Sequence, residues 1–436
     1  MMLLSRCSTP WCFDSNRVLP RLFRLQLVIS QCRFLATIRA EQHEAKPTPM
    51  ALRKKNLLGM TLDEMRQEIT SSLSGGHDVH HAQTFRANQI WRCIYRHGIT
   101  SFSQMTNLPE SLRNTLDDLY TIDYGHIKLD KLSKDGTRKF LVSFDDDPRA
   151  VVETVVIPEK HRGTLCLSSQ IGCSLNCTFC HTGTQKLLRN LTAGEVVGQY
   201  MIAASAFGDF PIVDGKRRAD GKKREVSNFV FMGQGEPLYN FKNVATAIRI
   251  LTDPDGLSLP PTKITVSTSG VAPLIPKLAT LGVSLAISLH APRDDLRDTL
   301  VPLNKRFGIR KLIQSCREYV SAMTSNGKGK DATRVTFEYV MLKGVNDSEA
   351  EAREVVRVLS GVPSHVNLIP FNPWPDSGYK TSPPDQIARF AEVVVNSGVH
   401  CTIRRPRGRD IMAACGQLKS NTENKAFVAA AASRAS

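Results

Sequence analysis

Residues 164–180 read Thr-Leu-Cys-Leu-Ser-Ser-Gln-Ile-Gly-Cys-Ser-Leu-Asn-Cys-Thr-Phe-Cys, and the order of features in them decides the fold. The apolar run from Thr164 to Ser168 suits a buried strand. A loop carrying Cys173, Cys177 and Cys180 follows, and Thr192 then opens a helical pattern that runs to Ala206. Strand, loop, helix is the first part of a parallel crossover unit, and the pattern repeats downstream. Strands are expected at Asn228 to Met232, Lys263 to Thr268, Ser284 to Leu289, Arg334 to Met341 and Val366 to Phe371, with a late one at Cys401 to Arg404. Helices are expected at Lys242 to Leu251, Ile309 to Ala322, Glu349 to Leu359 and Gln386 to Val395. This alternation predicts an α/β fold, a partial (βα)6-type TIM-like barrel over residues 161–418, with its working groups at the carboxyl ends of the strands.

Upstream the pattern is different. Residues 57–125 read as a small N-terminal helical accessory domain: Thr61 with Glu64 makes a capping box, and Phe85, Ile90, Trp91, Ile94 and Tyr95 recur at helical spacing. Arg86, Arg92 and Arg96 on that stretch read first as a solvated face. Residues 126–160 are expected to form a β-hairpin connection, Lys139 to Phe144 and Val151 to Ile157 joined through Asp145, Asp146, Asp147 and Pro148. Residues 41–56 read as a polar linker, 419–436 as a short tail, and Asp214 to Arg224, rich in Lys, Arg and Gly, as a solvated loop.

A chain of 436 residues, 41% hydrophobic and 22% charged, is too apolar to be mainly disordered. Its formal charge of +16 favours a polyanionic partner, nucleic acid ahead of an acidic membrane surface. Of that charge, +5 belongs to residues 1–40, where Arg6, Arg17, Arg21, Arg24, Arg33 and Arg39 face one acid, Asp14. Arg-rich, acid-poor and interrupted by Leu22, Phe23, Leu25, Leu27, Val28 and Ile29, this stretch reads as an organelle-import peptide, mitochondrial ahead of plastid, with a cytoplasmic protein as the alternative. No stretch reaches the roughly 18 uninterrupted apolar residues of a membrane span. Eleven cysteines, three of them clustered, point to metal or redox chemistry in a reducing compartment.

Three thiolates at the spacing of Cys173, Cys177 and Cys180 can hold three irons of a [4Fe-4S] cluster and leave the fourth open to a substrate. A zinc site would need a fourth ligand, His181, at an odd spacing. The next strand ends in Gly233-Gln234-Gly235-Glu236-Pro237, where Gly235 lets backbone approach a ligand and Glu236 can accept hydrogen bonds from an ammonium group. Later strand ends carry Ser267, then Ser288-Leu289-His290, then Asn372, each of which alone would more often be a turn or capping residue.

The cysteine loop, with the aromatic Phe179 before its last cysteine, resembles that of the radical S-adenosylmethionine superfamily. More narrowly, from about Leu57 to Leu418 the chain resembles the RlmN and Cfr group of RNA adenine methyltransferases. The carrying segments are Phe85 to Gln89, Val152 to Val155, Cys166 to Cys173, Ser284 to Pro292 and Arg407 to Leu418. The resemblance implies a radical-SAM barrel with the cluster on Cys173, Cys177 and Cys180, a methionine-binding element at Gly235 and Glu236, and ribose and adenine contacts from Ser267, Ser288, Leu289, His290 and Asn372. It implies two molecules of S-adenosylmethionine per turnover, Cys415 as the acceptor of the first methyl group, Cys166 as the thiol that releases product through a transient disulfide, and Glu153 as the base for the ring proton. The implied substrates are an adenosine of large-subunit rRNA and the adenosine 3' of the anticodon in tRNA, modified at carbon 2. Carbon 8 is the alternative followed by the Cfr branch, and a catalytically inactive RNA-binding assembly factor is an alternative of another class. A monomer served by a ferredoxin or flavodoxin-type electron donor, with the helical domain gripping phosphates and no membrane partner, completes the expectation. Cys93, Cys316 and Cys401 read as packing residues.

Overall fold

The computed structural model describes residues 54–73, 79–145, 147, 149–160, 162–327 and 333–420. The import peptide expected at 1–40, most of the linker and nearly all of the tail lie outside them.

Runs of buried Val, Ile, Leu and Phe build one ten-stranded sheet whose strands lie in chain order. Its first three strands are β1 (His126–Leu132), β2 (Arg138–Ser143) and β3 (Val151–Glu159), followed by β4 (Arg162–Cys166). The parallel series continues through β5 (Asn228–Phe231), β6 (Ile264–Thr268), β7 (Ser284–Ser288), β8 (Val335–Met341), β9 (Ser364–Pro370) and β10 (His400–Ile403). From β4 to β10 every neighbour pair is parallel, as the alternating sequence predicts. In the accessory region stand α1 (Leu62–Ser72), α2 (Val79–Tyr95) and α3 (Glu110–Leu119). The barrel carries α4 (Ala193–Ala206), α5 (Phe241–Thr252), α6 (Asp294–Leu300), α7 (Ile309–Ser325), α8 (Glu349–Leu359) and α9 (Pro384–Asn396).

The stretch read as a hairpin connection is part of the main sheet. Strands β1 to β4 pair antiparallel, so β3 joins the hairpin directly to the barrel's first strand. β3 has Val151, Val152, Val155 and Val156 all buried, which a free connection would leave wet. The edge strand β1 escaped the sequence reading. Its Lys128, Asp130 and Lys131 are what an edge strand needs to discourage pairing with another chain, and a register shift between Ile127 and Leu129 breaks its alternation.

Thr61 caps α1 in the expected box with Glu64. Lys55 and Asn56, assigned to the linker, pair with Tyr120 and Thr121 and so tie the entry of the helical region to its exit. Of the three arginines read as a solvated face, Arg92 and Arg96 make docking contacts, while Arg86 bonds within its own helix to Gln89 at 2.8 Å, and Arg92 stays half exposed. Arg92 pairs with Asp255 at 2.7 Å, Arg96 donates to the carbonyls of Pro254 (2.7 Å) and Asp255 (3.1 Å), and Trp91 Nε1 donates to Asp253 at 3.1 Å. The Asp214 to Arg224 segment is likewise folded. Arg217 and Arg218 pair with Asp214 and Asp220, while Arg224 is buried over the Tyr200 ring and donates to the Leu257 carbonyl at 2.9 Å.

Where the helical region meets α4, Gly59 holds φ +95° and a Cβ there would stand 2.3 Å from the Gly194 amide nitrogen. Gly59→Ala is therefore expected to destabilise the protein by about 1 to 3 kcal/mol, read as a lowered melting temperature of the full chain. An unchanged melt would mean that the two backbones can part freely.

Candidate active site

The carboxyl ends of β5 to β9 open into a cavity of about 160 Å³. Cys173, Cys177, Cys180, Gly235, Glu236, Ser267, Ser288, His290, Asn372 and Cys415 all line it. Leu289 is fully buried and does not; it contributes backbone, its N–H donating to the Glu338 carbonyl.

The cysteine loop folds tightly because Gly172 has φ +79° and a Cβ there would lie 2.2 Å from the Lys186 carbonyl oxygen. Burial pushes the Cys173 thiol up to about 12, opposed by the amide N–H groups of Leu175 and Ser174. Burial also raises Cys180, against the N–H groups of Gly183 and Thr182 and the Thr182 hydroxyl. Cys177 is pushed well up by burial and by the other two thiols, with the Arg297 cation opposing. Donors aimed at sulfur stabilise thiolates and do little for thiols. The three thiols share one cavity, and with donors aimed at Cys173 and Cys180 this donor set fits a [4Fe-4S] cluster.

Arg297 is a residue the sequence reading missed. Fully buried, it donates to the carbonyls of Leu289 (2.9 Å), Ser288 (2.9 Å) and Ser269 (2.7 Å) and to Asn304 Oδ1 (2.8 Å), pinning the ends of β6 and β7 together. Burial lowers its guanidinium to about 10, and Cys177 beside it opposes that fall.

Gly235 has φ +93°, and a Cβ on it would meet the Gln170 Cβ at 2.5 Å. Glu236 beside it is buried, which pushes its carboxyl up to about 7 against the N–H groups of Ser269 (2.8 Å) and Leu238 (3.0 Å). The Thr268 hydroxyl also donates to this carboxylate, whose remaining acceptor capacity is open to a ligand. His290, at φ +59°, accepts the Val340 N–H at Nδ1 (3.1 Å) and packs edge-on against Phe179 with centroids 4.6 Å apart. Burial and then the Arg297 charge push the imidazole down to about 3, so it is neutral at physiological pH, and the network assigns its proton to Nε2.

Cys415 rides on a strap, residues 408–418, that crosses the cavity. Asn372 Nδ2 donates to the Cys415 carbonyl (3.2 Å), Gln417 Nε2 to the Pro373 carbonyl (2.7 Å), and the His181 N–H to the Gly416 carbonyl (2.8 Å). Asn372 Oδ1 accepts from Arg409 (2.8 Å), so both ends of the amide expected to touch nucleoside are engaged with the strap. His181 stacks on Trp374, whose Nε1 donates to the Phe179 carbonyl, which ties the loop after β9 to the cysteine loop. At the other end the turn between β1 and β2 holds the strap through Ser133 and Lys134 N–H to Asp410, and Gly408 N–H to Asp135.

Cys166, at the end of β4, packs with Val155, Ala413 and Leu418 beneath the strap. Burial pushes its thiol up to about 12 and Cys415 reinforces this, while Arg404 and the Met232 N–H oppose it. The two distant cysteines are thus brought within electrostatic reach. Glu153 is not brought to the cavity wall. It is fully buried and ion-paired to Lys139 at 2.7 Å, and Lys139 in turn donates to the Met412 carbonyl of the strap at 3.2 Å. Glu338, also missed, does line the cavity; burial raises its carboxyl, and Asn367 Nδ2 donates to it at 2.8 Å.

Residues 167–356 match the radical SAM superfamily, and residues 55–122 match the ribosomal RNA large subunit methyltransferase N-terminal domain. The chain is 50% identical over 381 residues to the dual-specificity RNA methyltransferase RlmN of Rhodopseudomonas palustris strain BisA53, covering 86% of this chain and 92% of that one. With the protein of the same name from Azorhizobium caulinodans the identity is 53% over 349 residues, covering 78% and 84%. The crystal structure of a radical SAM methyltransferase from Sphaerobacter thermophilus superposes with a TM-score of 0.74 at 39% identity, covering 84% of this chain and 99% of that one.

With its carboxyl at about 7, Glu236 is mostly protonated at pH 6 and ionised at pH 8. An ammonium ligand selects the carboxylate, so affinity for S-adenosylmethionine should fall by about tenfold per pH unit below 7 and be greatest at about pH 7 to 8, above which the ligand's own α-amino group loses its proton. Titrations of the cluster-loaded protein check this, and Glu236→Gln should bind weakly with a flat profile. A natural protein whose affinity ignores pH would rule out the pairing.

Proposed function

The chain belongs to the RlmN family of radical S-adenosylmethionine RNA methyltransferases, and from that premise we propose that it methylates carbon 2 of adenosine in large-subunit rRNA and in tRNA, 3' of the anticodon. The observation that carries this reading is that Cys415 lines the cavity that holds the three-cysteine loop while Cys166 packs against Ala413 and Leu418 of the same strap, near enough for the two sulfurs to act on each other's charge. Carbon 2 of adenine is neither acidic nor nucleophilic enough to displace a methyl group from a sulfonium, so a polar site with one nucleophile would not serve. A thiol that carries the methyl group and a second that releases the product supply what a radical route needs.

Bound to Cys173, Cys177 and Cys180, a [4Fe-4S] cluster would supply the electron that splits S-adenosylmethionine and so makes a carbon radical. Glu236 receives the ligand's ammonium group, with Gly235 leaving room for it, and the end of β7 at Ser288 and His290, held by Arg297, faces its nucleoside. Neutral His290 offers its Nε2 proton as a donor without adding charge. Cys415 first takes a methyl group as a thiolate from one S-adenosylmethionine, and a second one is consumed in activating that methyl group. Cys166 then attacks the Cys415 sulfur, frees the methylated base and leaves a disulfide for external reductant to open. Glu153 takes the ring proton on this reading, which requires the strap near Met412 to lift from Lys139. The helical region supplies the hold on RNA, a ferredoxin or flavodoxin-type protein the electrons, and the Arg-rich residues 1–40 the address of a mitochondrion, where the protein works as a monomer.

Cys166→Ala protein prepared without oxygen should carry RNA covalently on Cys415, visible as a nuclease-sensitive adduct; a clean protein with cluster present overturns the two-thiol scheme. Mass mapping of adenosine from the natural enzyme's product should place the methyl group on carbon 2, and a carbon-8 product would overturn that position. Glu153→Gln should still form 5'-deoxyadenosine but lower methylated RNA by about 100-fold or more.

A further inference from the structure

Arg404 is the cation of the cavity wall that none of these steps uses. It directly follows β10, and its N–H donates to the Leu368 carbonyl at 2.8 Å, which carries the β9–β10 ladder one residue further. Alternate residues of an extended strand share a face, so Arg404 projects on the side of Thr402, whose partner Asn367 supports Glu338 at the cavity. Arg404 and Cys415 line the main cavity together and also a small adjoining cleft bounded by the strap residues Ala413 and Ala414. The charges its guanidinium feels are, in order, Cys415, Glu338, Cys166 and Glu159.

We propose that Arg404 is a positioning residue shared by the two thiols in turn: it holds Cys415 as the thiolate that accepts the methyl group and, once that sulfur is a thioether, turns to Cys166. The inference rests on the two-thiol scheme above. A thiolate, not a thiol, is the nucleophile in both steps. The groups acting on Cys166 are Cys415 from the strap, Arg404 from the end of β10 and the Met232 N–H from the end of β5. From β3 the apolar Val155 packs on it, and the Glu153 charge further along that strand is met by Lys139. An ionised Cys415 therefore competes with Cys166 for one cation and repels its charge. A methylated Cys415 does neither.

In loading, a sulfur–methyl bond forms on Cys415, the sulfonium–methyl bond breaks with its electron pair staying on the departing thioether, and the thiol proton passes to solvent. In release, the Cys166 thiolate forms a sulfur–sulfur bond with Cys415, the sulfur–methylene bond breaks, and the electron pair goes to the departing carbon, which takes a proton from solvent. A dithiol reductant then returns both cysteines to thiols. Cys166 becomes nucleophilic when Cys415 is loaded and not before, which guards against premature disulfide formation.

The test is the pH dependence of Cys166 alkylation by iodoacetamide, read by peptide mass spectrometry on full-length, cluster-loaded protein with Cys415 free or S-methylated. Methylation should lower the midpoint by about one unit, about tenfold in rate at fixed pH. Arg404→Gln should raise the midpoint and erase the difference, Arg404→Lys should restore part of it, and in a single turnover started from protein already S-methylated on Cys415, Arg404→Gln should accumulate the RNA–Cys415 adduct. An Arg404→Gln profile like the natural one, with cluster and melting temperature intact, overturns the proposal. So does a natural protein whose Cys166 profile ignores methylation, a comparison that needs no substitution. A shifted profile without any adduct supports the hold of Arg404 on Cys166 and counts against the two-thiol scheme instead.

Discussion

Sulfur taken out of water resists ionisation, and each chemical role given to this chain's cysteines requires a thiolate. Cys173 and Cys166 are both pushed up to about 12 by burial, and Cys177 and Cys180 are raised by the same cause. The protein answers each case with a different device. Backbone N–H groups point at Cys173 and Cys180, the buried Arg297 faces Cys177, and Arg404 faces Cys415 and Cys166. Burial keeps water from a reactive carbon centre, and the compensating donors keep that burial compatible with sulfur chemistry.

The fold places those devices by joining two kinds of sheet. The parallel strands β4 to β9 bring Cys166, Glu236, Ser267, Ser288 and Asn372 to one rim, as carboxyl ends in a barrel do. The antiparallel strands β1 to β3 do something else. Their turn grips Asp410 and Gly408, and their Lys139 reaches Met412, so they fix both the start and the middle of the strap that carries Cys415. Had the hairpin been a loose connection, Cys415 would have been anchored at its far end alone.

How much of this was legible follows from the range of each signal. The cysteine spacing is local, and strand ends follow from apolar runs, so the cluster ligands and the rim residues could be named from the chain. Arg297 could not, because Asp-Asp-Leu-Arg-Asp reads as the exposed face of a helix, and only the tertiary fold turns that face inward. The Glu153–Lys139 pair depends on the register of β2 against β3, which aligns Leu141 with Glu153 and Lys139 with Val155. Arg92 and Arg96 show the same limit: periodicity tells which face a residue occupies, not whether the loop after α5 will cover it. Resemblance found Cys415 and Cys166, whose partnership no spacing rule would have suggested.

The strap sets how the cavity can admit a nucleobase. Its attachments on the cavity side are single hydrogen bonds that join Asn372 to Cys415 and Arg409, Gln417 to Pro373, His181 to Gly416 and Gln417, and Thr182 to Leu418, each contributing about 0.5 to 1.5 kcal/mol and more for the charged Arg409. Releasing a run of them costs roughly several kcal/mol. The strands beneath, with fully buried Val155, Val156 and Leu165, cannot part at that cost. Motion that brings a base to Cys415 therefore belongs to the strap, while the barrel rim and the cysteine loop stay fixed to hold the cofactor.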